Sequence, residues 1–138
     1  MNKNQFIKEC ENDGRFDNFQ IEQIRLGFEN GLTIEQIKVY AKFELDWEQM
    51  WEIRRGLENG LTMQQVQFYA DPKFNDGEMI QIRKGFENGL TMEQIKLFTK
   101  PEFNDKQMFK ICKFIINNKN MPINTLKFLI QLEGIMNE

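Results

Sequence analysis

One ten-residue stretch occurs three times in this chain, as FENGLTIEQI at 28–37, LENGLTMQQV at 57–66 and FENGLTMEQI at 86–95. Successive copies are 29 residues apart, and a fixed period of this size is typical of proteins built from stacked repeats. A row of isoleucines keeps the same spacing and extends it to a fourth unit: Ile24, Ile53, Ile82 and Ile111. The sequence therefore predicts four copies of one structural unit.

The repeated stretch has the pattern of a turn between two helices. Its glycine, at 31, 60 and 89, is the residue that most readily takes the left-handed conformation that ends many helices. The threonine two residues later stands three residues before a glutamine, which is the capping-box pattern of a helix start. This box occurs in each copy: Thr33 with Gln36, Thr62 with Gln65, and Thr91 with Gln94. Each unit is therefore predicted to be a helical hairpin.

A second capping box is predicted to begin the first helix of each hairpin. Its members are Asp17 with Gln20, Asp46 with Gln49, Asn75 with Glu78, and Asn104 with Gln107. We expect a single helical-repeat domain, 1–138, divided into an N-terminal capping helix at 1–15, hairpins at 16–44, 45–73 and 74–102, and a degenerate fourth repeat with a C-terminal cap at 103–138. The predicted fold is an all-α solenoid of four tandem 29-residue helical hairpins.

Two local features lead to packing predictions. The first helix of three hairpins contains a glycine, although an interior glycine costs about 1 kcal/mol relative to alanine. We expect each glycine to receive a bulky side chain from the following unit: Trp51 at Gly27, Ile80 at Gly56, and Phe109 at Gly85. In the last unit NNKNMP at 117–122 replaces the glycine turn, and an asparagine is expected to supply the left-handed residue.

The stretches QIRLGFENGL at 23–32, QIRKGFENGL at 81–90 and YADPKFN at 69–75 carry a resemblance to a known class. Over residues 16–105 the chain resembles short helical-hairpin repeats of proteins from low-GC Gram-positive bacteria and their mobile elements. The resemblance implies an α-helical repeat fold and a mobile-element origin. No activity and no catalytic residue set come with it.

The composition argues against most enzyme classes. The chain has no histidine, which removes Ser-His-Asp and Cys-His catalysis and the histidine-containing zinc sites. It has no glycine-rich phosphate loop, EF-hand spacing or nucleophile elbow, and Cys10 and Cys112 are isolated. We therefore expect no enzyme activity, no cofactor and no metal site. A signal-peptide pattern and an apolar run of about 20 residues are also missing, so we expect a cytoplasmic protein.

Partner-binding residues are sought on exposed positions and where the repeats differ, because features copied with every repeat usually belong to the scaffold. Large aromatics such as Phe19 and Trp47 lie off the predicted core, and tryptophan is a favoured interface anchor. An arginine recurs four residues before a glutamate in three units. This spacing suits an intrahelical ion pair, and partner binding is the alternative explanation. The candidate partner-binding residues are Phe19, Arg25, Trp47, Trp51, Arg54, Arg55, Arg83, Lys84, Lys106, Lys110 and Lys113.

The C-terminal part of the chain has a distinct charge. Between Lys106 and Leu132 there are five lysines and no acidic residue, whereas the rest of the chain has 13 basic and 21 acidic residues. This part is also apolar, so either the final helix covers the surface as a cap, or the surface forms a homodimer or partner contact. The second helix of each hairpin has mixed charge, which disfavours a DNA-reading role and leaves the lysines as the surface suited to phosphate.

These observations favour a non-enzymatic protein–protein interaction module that binds a protein partner through its repeat surface. One alternative is a phage or mobile-element inhibitor of a host defence enzyme, which agrees with the resemblance and with a small acidic chain. The other alternative is nucleic-acid binding through the lysine-rich C-terminal repeat, although nucleic acid is the less favoured partner.

Overall fold

Capping boxes set the helix starts in the computed structural model of the chain, which describes residues 1–132. Asp17 accepts a hydrogen bond from the Gln20 N–H (2.8 Å), while the Gln20 side chain accepts one from the Asp17 N–H (2.7 Å). The same reciprocal pair occurs at all seven predicted boxes. A further box, Asn2 with Gln5, begins the N-terminal helix. The predicted helix starts are confirmed.

Helices are the only regular secondary structure in residues 1–132. Their bounds are α1 Lys3–Asn12, α2 Asn18–Glu29, α3 Ile34–Tyr40, α4 Trp47–Glu58, α5 Met63–Tyr69, α6 Asp76–Glu87, α7 Met92–Lys96, α8 Asp105–Asn117 and α9 Ile123–Leu132. The prediction of an all-helical fold is confirmed. In this part of the chain no helix combines the length and apolarity that crossing a membrane requires.

The glycine turn ends the first helix of three hairpins, as predicted. The φ angles are 92° at Gly31, 95° at Gly60 and 85° at Gly89. After α2, the Leu32 N–H donates to the Gly27 carbonyl (2.9 Å) and the Gly31 N–H donates to the Phe28 carbonyl (3.1 Å). These two bonds form the Schellman arrangement, and both recur after α4 and α6. The repeated stretch is therefore a joint that closes one helix and starts the next.

The last turn differs from the prediction. Asn118 caps α8 with φ −134° and ψ 30°, and within residues 1–132 only glycines have a positive φ. The Asn118 N–H donates to the Ile115 carbonyl, and the Met121 N–H donates to the Asn118 carbonyl, both at 3.0 Å. The expectation of a left-handed asparagine was wrong, because the additional residue in this segment allows two successive turns.

The chain is divided into two compact units, Met1–Met79 and Ile80–Glu138, with the boundary inside α6. In the first unit α2 packs against α1, α3 and α4, α4 also packs against α3 and α5, and α3 packs against α5. Two successive hairpins are thus stacked in the same register in this unit. Fully buried core residues of the first unit include Ile24, Ile37, Tyr40, Ile53, Val66 and Tyr69. Those of the second unit include Ile82, Ile95, Phe98, Ile111 and Leu126.

The helix glycines make room for a different partner from the one predicted. A Cβ atom at Gly27 would lie 2.1 Å from the Tyr40 hydroxyl oxygen, and one at Gly56 would lie 2.2 Å from that of Tyr69. At Gly85 the nearest atoms are Ile95 Cδ1 (2.7 Å) and Phe98 Cζ (3.3 Å). At Gly27 and Gly56 the space is filled by the second helix of the same hairpin. At Gly85 it is filled by Ile95 of α7 and by Phe98 just beyond α7, with Cys112 Sγ of the next hairpin 3.4 Å away. The predicted contacts of Trp51, Ile80 and Phe109 with these glycines were therefore wrong.

A hydrogen bond explains why the tyrosines lie so close to the glycines. The Tyr40 hydroxyl donates to the Gln23 carbonyl (2.7 Å), and the Tyr69 hydroxyl donates to the Glu52 carbonyl (3.0 Å). Both acceptors belong to the first helix, so the ring must cross the helix surface where a side chain would otherwise stand. Burial raises the pKa of Tyr40 well above its usual range, which keeps this hydroxyl protonated as a donor.

Candidate protein-binding surface

Two large aromatic side chains are exposed side by side on successive hairpins of the first unit. Phe19 lies in the first turn of α2 and is 66% exposed, and Trp47 begins α4 and is 40% exposed. Their ring centroids are 6.1 Å apart with an interplanar angle of 35°. One turn further along α4, Trp51 is half-buried. Phe19, Trp47 and Trp51 form what we call the aromatic surface.

The stacking of α2 on α4 brings these residues together. The capping boxes of Asp17 and Asp46 place Phe19 and Trp47 in the first turns of adjacent helices, outside the stripe that includes Ile24 and Ile53. Aromatic rings at this separation attract one another, but the exposed pair still leaves apolar area in water. Such area is typical of residues that anchor an interface.

A concavity of 300 Å³ adjoins the aromatic surface. We call it the acidic concavity, and its lining residues are Trp47, Glu48, Trp51, Glu52 and Asp76. Glu48 of α4 and Asp76 of α6 lie near each other in this lining. The proximity of Asp76 raises the pKa of the Glu48 carboxyl, because a hydrogen bond between the two groups stabilises protonated Glu48 and because two nearby carboxyl groups disfavour a second negative charge. Glu52 is buried.

Arg55 supplies a cation at the edge of this region. Its guanidinium carbon lies 5.2 Å from the ring centre of Trp51, one helical turn away on α4. Arg55 is exposed, as predicted for a candidate binding residue. The contact shows that one tryptophan of the aromatic surface already accepts a guanidinium group.

Two of the three recurring arginines are buried and lie inside the scaffold. Arg54 is 6% exposed; its Nε–H donates to the Gln23 side-chain oxygen (3.0 Å), and its Nη1 donates to both Glu58 carboxylate oxygens at 2.8 and 2.9 Å. Arg83 is 8% exposed and pairs with Glu87 at 2.9 Å. The predicted intrahelical pairs are confirmed at these two positions. Because both arginines are buried, they are not part of the aromatic surface, and their assignment to partner binding stays a prediction.

Arg25 behaves differently from its counterparts. It is exposed, and its ion pair is formed with Glu11 of α1, whereas the intrahelical pattern predicts Glu29. The N-terminal helix packs against α2 and brings Glu11 within reach. Because α1 lies outside the repeat register, the sequence pattern gave no signal for this pair.

The lysine candidates belong to the second unit. Lys106, Lys110 and Lys113 are all exposed on α8, where Phe109 is 49% exposed between them in sequence. Their spacing of three to four residues places them on one side of the helix. Lys84 is exposed on α6. The predicted exposure of these four lysines is confirmed.

The final helix, α9, has both buried and exposed apolar side chains. In α9, Leu126 and Ile130 are buried, whereas Phe128 and Leu132 are 61% and 66% exposed. The helix thus buries apolar side chains and also exposes others, and its role as a C-terminal cap stays a prediction. A homodimer through this region stays a prediction.

Sequence reasoning missed the carboxylates Glu48, Glu52 and Asp76 as members of a site. A signal was present, because the position of Glu48 is taken by Phe19, Gly77 and Lys106 in the other units. Glu48 and Glu52 directly follow the two tryptophans in sequence. The proximity of Asp76 depends on how one hairpin lies on the next, which a linear pattern does not specify.

Within residues 1–132, no group of three or more histidine, cysteine, aspartate or glutamate side chains is arranged to hold a metal ion. A comparison with protein-family models found no match, and searches of curated proteins and of solved structures found none either. The aromatic surface and its acidic concavity are therefore interpreted from their own chemistry.

Proposed function

We propose that this chain is a protein-binding module whose partner contacts the aromatic surface of the first unit. The observation that supports the proposal is the pair Phe19 and Trp47, which are exposed and in contact across two successive hairpins. Aromatic side chains bury a large apolar area with little loss of side-chain freedom, and tryptophan is enriched among residues that dominate binding energy. A partner that covers both rings removes this area from water.

We further propose that the scaffold is a four-hairpin α-solenoid in a single domain, 1–138, which presents surfaces of successive repeats to the partner. In support, α2 to α5 form two hairpins stacked in one register, and the same capping boxes and glycine turns recur along the chain. Repeat proteins commonly bind through surfaces assembled from neighbouring units.

A quantitative pull-down with a matched control tests the protein-binding proposal. The bait variants are Phe19→Ala/Trp47→Ala in the first unit and Phe128→Ala in the second, since all three aromatics are exposed. The prey is a nuclease-treated lysate of a low-GC Gram-positive bacterium, which the resemblance favours. We expect one stoichiometric protein that the double variant loses and the Phe128→Ala variant retains. Equal retention of that protein by the unchanged chain and by both variants would contradict the proposal.

An inhibitor of a host defence enzyme is a narrower form of this proposal. The resemblance to repeats of mobile elements and the formal net charge of −3 agree with it. This form requires two results. The captured protein must be a nuclease or another defence enzyme, and its activity must be lost when the chain is added. A captured protein that keeps full activity would contradict it.

Nucleic-acid binding is a second candidate function, favoured by one observation on α8. Lys106, Lys110 and Lys113 are exposed with the aromatic side chain of Phe109, a combination that suits phosphate contacts and base stacking. The test is binding of a labelled single strand and a labelled duplex at two salt concentrations. Loss of a salt-sensitive complex on changing the three lysines to glutamine would favour this function, and no binding to either probe would contradict it.

A further inference from the structure

The lining of the acidic concavity differs from that of the concavity beside α1. That second concavity, of 460 Å³, contains Arg15, whose guanidinium carbon lies 4.1 Å from the ring centre of Phe43 and whose Nη2 lies 2.8 Å from an oxygen of Asp13. A cation, an aromatic ring and a carboxylate are thus already combined there. The acidic concavity has two tryptophans and three acidic residues in its lining and no basic residue.

Helix dipoles explain only part of this arrangement. Glu48 and Asp76 lie in the first turns of α4 and α6, where the positive end of the helix dipole favours acidic side chains. The dipole does not account for the tryptophans beside them. Trp47 and Trp51 are the only two tryptophans in the chain, and both lie at this one place.

Glu48 of α4 and Asp76 of α6 bring two acidic side chains into the lining of one concavity. A positive group placed between them offsets their repulsion and donates hydrogen bonds to both carboxylates. Among positive groups, a guanidinium is planar, stacks on an indole ring and donates two parallel hydrogen bonds to a carboxylate. The lining of the acidic concavity offers both kinds of partner within 300 Å³.

We infer that the acidic concavity binds an arginine side chain of the protein partner, with Trp47 stacking on the guanidinium and Glu48 and Asp76 accepting its hydrogen bonds. The inference rests on the proposed function and specifies the chemistry of the partner. The contact of Arg55 with Trp51 is an internal example of the same interaction. Because Arg55 is itself positive, it competes with the partner's arginine for this region.

Tryptophan signals give a direct test with a small probe. The probe is acetyl-Gly-Arg-Gly-amide and its matched control is acetyl-Gly-Gln-Gly-amide, both titrated at low ionic strength while the two indole N–H resonances are followed by NMR. We expect saturable shifts with the arginine peptide and none with the glutamine peptide over the same range. Equal shifts with both peptides, or no shift with either, overturn the inference.

Charge variants locate the probe. Glu48→Gln/Asp76→Asn is expected to weaken binding of the arginine peptide about fivefold, because the contacts of one exposed and one half-buried carboxylate are lost. Glu35→Gln/Glu93→Gln is the control, since it removes two exposed acidic residues that also lie in first helical turns. Arg55→Ala is expected to strengthen binding about twofold by removing the competing cation. A loss of affinity that is the same in both acid variants overturns the inference.

The pull-down with the same variants separates this inference from the proposed function. If both hold, Phe19→Ala/Trp47→Ala abolishes capture and Glu48→Gln/Asp76→Asn reduces it, while Glu35→Gln/Glu93→Gln does not. Capture that is lost in the aromatic variant and unchanged in both acid variants overturns the arginine site and leaves the protein-binding module standing. Capture unchanged in every variant overturns the module itself.

A second copy of this chain is the other occupant that the charges allow. Sedimentation of the purified protein over a range of concentrations tests it, and we expect no association. If the protein self-associates and Glu48→Gln/Asp76→Asn abolishes the association, the basic residue bound in the concavity comes from a second copy of the chain. That result would overturn the inference as stated.

Discussion

The two units of the chain use the same buried positions with different residues. In the first unit, tyrosines lie over the helix glycines and donate hydrogen bonds to the backbone; in the second unit, Phe98 lies over Gly85 without a hydroxyl group. Equivalent positions of successive repeats are 29 residues apart, and the position equivalent to Arg54 is occupied by Cys112 in the last repeat. Its thiol is 3.7 Å from the Gln81 carbonyl oxygen. At these two positions the first unit adds polar bonds to its packing and the second does not, whereas the buried Arg83–Glu87 pair of the second unit matches the Arg54–Glu58 pair of the first.

The surfaces of the two units differ more than their cores. Residues 1–79 contain nine basic and fifteen acidic side chains, whereas residues 80–138 contain nine basic and six acidic side chains. The first unit exposes Phe19 and Trp47 beside carboxylates, and the second exposes lysines around Phe109 on α8. Repeated positions thus maintain the scaffold, and the positions that vary between repeats give each unit its own binding chemistry.

The largest effect on stability is expected at Arg54. The change Arg54→Ala leaves Glu58, whose side chain is 13% exposed, and the buried Gln23 without their cationic partner. We expect the free energy of unfolding to fall by about 3 kcal/mol, because removing one member of a buried ion pair leaves the other uncompensated. Urea unfolding gives this value.

Two controls sharpen the Arg54 comparison. Cys112→Ala, at the corresponding position of the second unit, is expected to lower the free energy of unfolding by about 1 kcal/mol. Arg25→Ala removes an ion pair whose side chains are 45% and 40% exposed, and it should cost less than about 1 kcal/mol. Equal losses in all three variants would mean that the polar network of the first unit adds nothing to packing.

The next effect is expected at the helix glycines. Gly27→Ala places a methyl group 2.1 Å from the Tyr40 hydroxyl oxygen, so the buried ring must move and its hydrogen bond to Gln23 is lost. We expect a loss of about 2 kcal/mol despite the higher helix propensity of alanine. Gly85→Ala meets Phe98 at 3.3 Å and the tip of Ile95 at 2.7 Å, and a loss of less than about 1 kcal/mol is expected. Thermal unfolding of the two variants checks the order.

The tyrosine hydroxyl gives a smaller and separable effect. Tyr40→Phe makes the first hairpin resemble the third, where Phe98 has no hydroxyl, and we expect a loss of about 1 kcal/mol from the missing hydrogen bond. In the double variant Gly27→Ala/Tyr40→Phe, the loss of stability should be smaller than the sum of the two single losses, because the oxygen nearest to the new methyl group is absent. Full additivity would show that the hydroxyl is not what the glycine accommodates.

Much of the fold was predictable from short-range patterns. The capping boxes and the glycine turn involve residues three to six positions apart, so the sequence alone placed the helix starts and the joints. The partners of Gly27 and Arg25 were missed because Tyr40 and Glu11 come from other helices. The acidic concavity was missed for the same reason, since Asp76 lies 29 residues beyond Trp47.

The smallest expected effect is a pH dependence of the acidic concavity. Because Asp76 raises the pKa of Glu48 in the folded state, the folded protein binds this proton more tightly than the unfolded chain. Stability therefore rises slightly as the pH falls through the raised pKa. Asp76→Asn should return the pKa of Glu48 towards its usual range, and an NMR titration of the Glu48 side chain measures the change. An unchanged pKa in the variant would contradict the close carboxyl pair.

Photo-crosslinking tests the central claim, that the first unit binds a protein through its aromatic surface, most directly. A photoreactive phenylalanine analogue is introduced at Trp47 in one variant and at Phe128, an exposed aromatic of the second unit, in another. Irradiation in a bacterial lysate is predicted to join position 47 to one defined protein, with no corresponding product from position 128. The same product from both positions, or a product from position 128 alone, would contradict the account.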